Sequence, residues 1–166
     1  MKAERILVPL DGSALAEMAL PKAVELLSDR PGATLILLRA AEARRLPGVD
    51  PIDAQATVVR EAKSYLAAVA DRLREQGVTQ VVRSVWYSSA AKAIAEAARV
   101  RRVDLIVMST HGRSGLRRAL RGSVAESVLR RTRTPILLVS AGGAVEAGSP
   151  RDGITGEDRR RAAIHA

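Results

Sequence analysis

The sequence predicts an α/β protein: a five-stranded parallel sheet with helices on both faces. Three observations carry this. Short continuous apolar runs alternate with stretches of helical periodicity, in the order βαβαβαβαβ. Hydrophobic residues make up 47% of the 166 residues, enough for one domain with a real core. Aromatics total only 2% and Phe is absent, so Leu, Val, Ile and Ala must build that core. Such side chains suit packed helices and parallel strands better than an aromatic sandwich.

Residues 6–10 (Ile-Leu-Val-Pro-Leu) form a short apolar run closed by Asp11 and Gly12, as a strand buried on both faces would. Ser13 then opens a helical pattern as a hydroxyl N-cap. Leu15, Met18, Ala19, Ala23, Leu26 and Leu27 recur at helical spacing until Pro31 and Gly32 end the unit. Residues 34–38 are a second buried strand, followed by a loop with Pro47, Gly48 and Pro51. The next helix is the longest. Val59, Ala62, Leu66, Val69, Ala70 and Leu73 form one apolar stripe, and Gly77 stops it.

Residues 78–85 are β-branched and weakly alternating, which predicts a strand. Residues 90–100 are an Ala-rich helix with Ile94, Ala97 and Ala98 facing in. Residues 105–108 are another buried strand. Residues 123–131 predict a helix on Val124, Val128 and Leu129. Pro135 opens the last strand, residues 136–139. From residue 141 the apolar periodicity gives way to Gly, Ser, Pro and mixed charge, so residues 1–140 are expected to form the domain and 141–166 a mobile tail.

Composition bounds the function. With no Cys, disulfides, thiolate metal sites and Cys nucleophiles are excluded. No His/Asp/Glu cluster has metal-ligand spacing. No signal-peptide stretch or membrane-length apolar run is visible, so the expectation is a soluble cytoplasmic protein. The net charge of +9 is compatible with anionic partners, but on composition alone a solvated, Arg-rich surface is the favoured reading.

In a doubly wound sheet, ligands bind beyond the carboxyl ends of the strands, where the strand order reverses. The loops after Leu10, Leu38 and Met108 are therefore the places for function. The richest is residues 109–123, which run from the end of a buried strand to a helix N-terminus. It contains Gly112, Gly115 and Gly122, four arginines and no acid. Glycines let backbone amides approach an anion, and helix N-terminal amides favour negative charge. Hydroxyls at Ser109, Thr110, Ser114 and Ser123 add donors. Strand, glycine loop and helix together predict a phosphate cradle. Neither a P-loop nor a G-x-G-x-x-G fingerprint is present. Asp11, at the edge of the first strand, can accept the hydroxyls of a ribose, and Asp-Gly-Ser is also ordinary turn chemistry. His111 has no paired nucleophile, and no G-x-S-x-G elbow supports a triad, so the chain is not read as an enzyme.

These segments resemble the universal stress protein family. Residues 6–13 look like its first strand and turn, residues 104–115 its fourth strand and loop. Gly122, Ser123, Val124, Ala125 and Glu126, then residues 134–139, complete the likeness over residues 1–140. The ATP-binding branch carries G-x2-G-x9-G-[ST]. Gly112, Gly122 and Ser123 fit it, while Ser109 stands where the pattern has glycine.

The resemblance implies a Rossmann-like fold of the adenine nucleotide alpha hydrolase type, ATP as ligand and a regulatory role in stress response. It implies that Asp11 holds the ribose and that Pro9 and Ala40 line the adenine pocket, the latter through its backbone. It places Gly112, Arg113, Gly122, Ser123 and Val124 on the phosphates, with a magnesium or manganese ion held through them. Met108 and Ser109, at the end of the fourth strand, complete the expected site. A homodimer through residues 136–139 is implied as well. ATP hydrolysis would be slow and incidental. Two alternatives stand beside this: a nucleotide-independent interaction protein of the same fold, and a nucleic-acid binder. Only Tyr65, Trp86 and Tyr87 are available for base stacking, which weakens the latter.

Overall fold

A computed structural model describes residues 3–43, 48, 50–110 and 124–140, and the backbone of 145–148. The strands are β1 (Arg5–Pro9), β2 (Thr34–Ala40), β3 (Val81–Trp86), β4 (Leu105–Thr110), β5 (Ile136–Ser140) and β6 (Val145–Gly148). The helices are α1 (Ala14–Glu17), α2 (Leu20–Leu27), α3 (Pro51–Glu75), α4 (Ala90–Val100) and α5 (Val124–Leu129). The sheet order is β3-β2-β1-β4-β5-β6. The first five strands are parallel, as expected, and the order reverses between β1 and β4.

The pleat divides the core into two layers. Ile6, Val8, Leu35, Leu37, Leu105 and Val107 point to one face, where α2 and α3 bring Ala23, Leu27, Leu66 and Val69. Leu7, Ile36, Leu38, Ile106 and Met108 point to the other, where α4 and α5 bring Ile94, Ala97 and Val128. Because both faces are covered, the central strands read as unbroken apolar runs.

Three elements differ from the sequence reading. The helix after Ser13 is not continuous: α1 ends at Glu17 and α2 begins at Leu20. Pro21 explains the break. It has no N–H to donate to the Glu17 carbonyl, and its ring crowds that position. Met18 falls in the break and is exposed, not part of the stripe. Pro51, read as loop, is the first residue of α3, where a missing N–H is harmless. Asp50 caps this helix, accepting from the Ile52 amide at 2.7 Å.

The third difference is β6. It lies in the stretch expected to be tail and pairs antiparallel with β5, from Ile136 opposite Gly148 to Val139 opposite Val145. It occupies the edge that the sequence reading offers to a second copy. Among the described residues, no helix is long and apolar enough to cross a membrane.

Candidate functional site

At the carboxyl ends of β1, β2 and β4 lies a cavity of about 370 Å³. That is within the range of small-molecule sites. It sits at the reversal of strand order, where a doubly wound sheet parts its loops. Pro9, Asp11, Ala40, Met108, Ser109 and Val124 all line it. Six of the residues expected at the site, from four separate segments, are thus brought together. Gly112, Arg113, Gly122 and Ser123 lie outside the described residues.

Asp11 opens the turn into α1. Its Oδ1 accepts from the Ser13 amide at 2.9 Å and from the Ser13 hydroxyl at 2.6 Å. The Ser13 Oγ in turn accepts from the Ala16 amide at 3.1 Å, capping α1. Gly12 between them has φ +92°, a conformation that a side chain resists. The turn role of Asp11 therefore falls on Oδ1, and Oδ2 takes part in neither Ser13 bond. Partial burial pushes this carboxyl up, but the Ser13 bonds, the Asp11 amide and the Arg39 charge outweigh it and hold it below its ordinary value of 3.8. It is a carboxylate, an acceptor only, at neutral pH.

Ala40 offers its backbone. The β1–β2 ladder ends where the Leu10 amide donates to the Leu38 carbonyl at 2.7 Å. Backbone groups alternate between the two edges of a strand, so Ala40 faces the same edge as Leu38, one step past that last rung. Its N–H and C=O are directed towards the crevice, an edge suited to a heteroaromatic base. Leu38, Ile94 and Met108 supply apolar wall beside it.

Ser109 is half-buried in β4, paired opposite Val139. Its backbone does not adopt positive φ; among the described residues other than glycine only Arg102 does. A side chain is therefore carried there without backbone strain. Val124 is 44% exposed at the cavity wall, while Ala125 and Val128 turn inward. Of the residues expected to face inward on α5, Val128 is buried and Leu129 packs half-buried against the same layer, while Val124 turns out to the cavity and Ala125 takes the inward position instead.

Arg39 is the charged cavity residue that the sequence reading missed. Its guanidinium lies over the Tyr65 ring, 4.9 Å from the centroid. Tyr65 donates its hydroxyl to Glu17 Oε1 at 2.8 Å, and Arg72 donates to Glu17 Oε2 at 2.6 Å. Burial and the Glu17 bond push the Tyr65 hydroxyl well above its usual range, so it stays a donor. The available signal was positional: Arg39 ends a buried apolar run at the carboxyl edge. Of the other aromatics, Trp86 is half-buried and donates to Ser84 Oγ at 2.9 Å, and Tyr87 is exposed. No group of three or more His, Asp or Glu among the described residues could hold a metal ion.

Comparison with known proteins agrees with this architecture. The sequence model of the Universal stress protein family matches residues 2–140. Universal stress protein Rv2005c of Mycobacterium tuberculosis is 33% identical over 136 residues, covering 80% of this chain and 44% of that protein. The chain thus spans less than half the length of this relative. A Burkholderia pseudomallei protein of the universal stress protein family has a similar structure, with TM-score 0.64 and 30% identity over 82% of this chain and 95% of that one. A universal stress protein solved in complex with cAMP shares the fold at TM-score 0.67 and 23% identity, covering 84% and 98%.

Proposed function

The chain belongs to the universal stress protein family, and from that premise we propose that it is an ATP-binding regulatory protein of stress response. The observation that carries the reading is the convergence of Pro9, Asp11, Ala40, Met108, Ser109 and Val124 on one cavity at the strand-order reversal. The chemistry of that lining fits an adenine nucleotide. The apolar wall and the Ala40 backbone edge suit the base, and Asp11 Oδ2 suits a ribose hydroxyl. The loop 109–123 begins at this cavity, and by the family resemblance would hold the phosphates through Gly112, Arg113, Gly122 and Ser123, together with Val124 at the start of α5. A magnesium or manganese ion would be held through the phosphates. The structural relative with cAMP supports an adenine nucleotide as the ligand class.

The proposed role is binding rather than turnover, with ATP hydrolysis slow and incidental, in the cytoplasm. A homodimer through β5 is proposed only for a state in which β6 has left that edge, because β6 otherwise fills it. Calorimetry of the purified protein with ATP and magnesium tests the central reading. Saturable heat with one site per chain is expected. No binding at millimolar ATP overturns it.

A further inference from the structure

Arg39 stands where the pleat calls for an apolar side chain. Leu35 and Leu37 precede it on the same face of β2, and both are fully buried. A half-buried arginine at the next position loses hydration and rotamer freedom that a leucine would not. The site has nonetheless been built around it. The guanidinium stacks on Tyr65, which Glu17 and Arg72 brace from α1 and α3. It also packs against the turn at Gly12, where a Cβ would fall 3.4 Å from Nη1 and 3.5 Å from Nη2. The absence of a side chain at Gly12 leaves the guanidinium its place.

Its donors are unspent. Among the described residues Arg39 donates no hydrogen bond and enters no ion pair, although it lines the same cavity as Asp11. A guanidinium only donates and a carboxylate only accepts. A hydroxyl does both: its hydrogen can go to Asp11 while its oxygen accepts from Arg39. A vicinal diol presents two such groups side by side. We infer that Arg39 is the second half of a ribose clamp, donating to a ribose hydroxyl that donates to Asp11 Oδ2, so that the site selects ribonucleotides over deoxyribonucleotides. This rests on the nucleotide reading above and adds to it the residue that sets sugar selectivity.

The test is calorimetry on the full chain with ATP, 2′-deoxyATP and 3′-deoxyATP, each with magnesium. The unaltered protein should bind the analogue lacking the clamped hydroxyl roughly tenfold or more weakly than ATP, as expected for a hydrogen bond to a charged group. Arg39→Met should weaken ATP roughly tenfold while leaving that analogue's affinity nearly unchanged, so the ATP-to-analogue ratio narrows to the share that the Asp11 bond supplies. Arg39→Lys, which restores a donor, should recover part of the ratio. If Arg39→Met does not give the parental circular dichroism spectrum, Arg39→Leu, which also lacks a donor and continues the apolar face of Leu35 and Leu37, carries the same test.

Two results overturn the inference while leaving the nucleotide reading intact. In one, Arg39→Met keeps the parental ATP-to-deoxyATP ratio. In the other, the parent protein binds all three nucleotides equally. A loss shared equally by all three ligands falls under the first and would mark Arg39 as a general charge or a brace. Absence of ATP binding by the parent would instead sink the nucleotide reading itself.

Discussion

Replacing Asp11 by Asn separates the turn role of this carboxylate from the ribose role proposed for it. Both Ser13 bonds end on Oδ1, at 2.9 and 2.6 Å. An asparagine retains that acceptor, so the turn and the α1 cap should survive. Asp11 is exposed, and stability should stay within about 0.5 kcal/mol of the parent. The substitution replaces Oδ2 by an amide donor. A hydrogen bond to a charged acceptor contributes roughly 1.5–3 kcal/mol, so ATP affinity should fall by roughly 10- to 150-fold. The assay is calorimetry with ATP, and with tripolyphosphate as the ribose-free control.

Tripolyphosphate should bind parent and Asp11→Asn alike. Equal ATP affinity in the two proteins, or an equal loss for tripolyphosphate, would refute the assignment. The pH dependence follows from the same bonds. Because the folded carboxyl is held below its ordinary 3.8, its ionised form is present, and its contribution complete, above that value. The contribution is lost only as pH falls through the lower folded value. The Asp11 part of ATP affinity should therefore be flat across neutral pH.

Three further outcomes are expected. Leu66→Ala removes a fully buried side chain between α3 and the sheet and should cost about 2–5 kcal/mol in denaturant unfolding; a cost under about 1 kcal/mol would contradict the packing. Ser109→Gly should tighten ATP binding, because a Cβ leaves the cavity. It should also lower stability by roughly 0.5–1 kcal/mol, because glycine weakens a strand. Weaker ATP binding in calorimetry would show that the Ser109 side chain is used instead. Ending the chain after Ser140 uncovers the outer edge of β5 and should shift the protein towards a dimer in light scattering at matched concentration. An unchanged mass would speak against pairing through that edge.

The parallel core was legible because strands buried on both faces leave unbroken apolar runs, and α4 was read with its observed bounds. The helix break was legible too, in Pro21, but the apolar spacing across Met18 hid it. β6 was not. Val145, Glu146, Ala147 and Gly148 have no pattern that marks a strand, and their pairing depends on the β5 edge already being there. At the site, Asp11 and Ser109 could be named because each follows a recognisable apolar run, and Ala40 only through the family resemblance. Arg39 could not be named from its residue type. Its meaning comes from Tyr65 and Gly12, which are remote in sequence and meet it only in the fold.

The central claim is that the cavity at the strand-order reversal binds an adenine nucleotide. Titration of isotope-labelled protein with ATP and magnesium, followed by amide chemical shifts, locates the ligand residue by residue. The account predicts saturable shifts concentrated at Leu10, Asp11, Gly12, Arg39, Ala40, Ser109 and Val124. The cavity at the opposite rim, lined by Arg5, Thr34, Val82 and Arg101, should stay silent. No shifts at millimolar ATP, or shifts centred on that opposite rim, would contradict it.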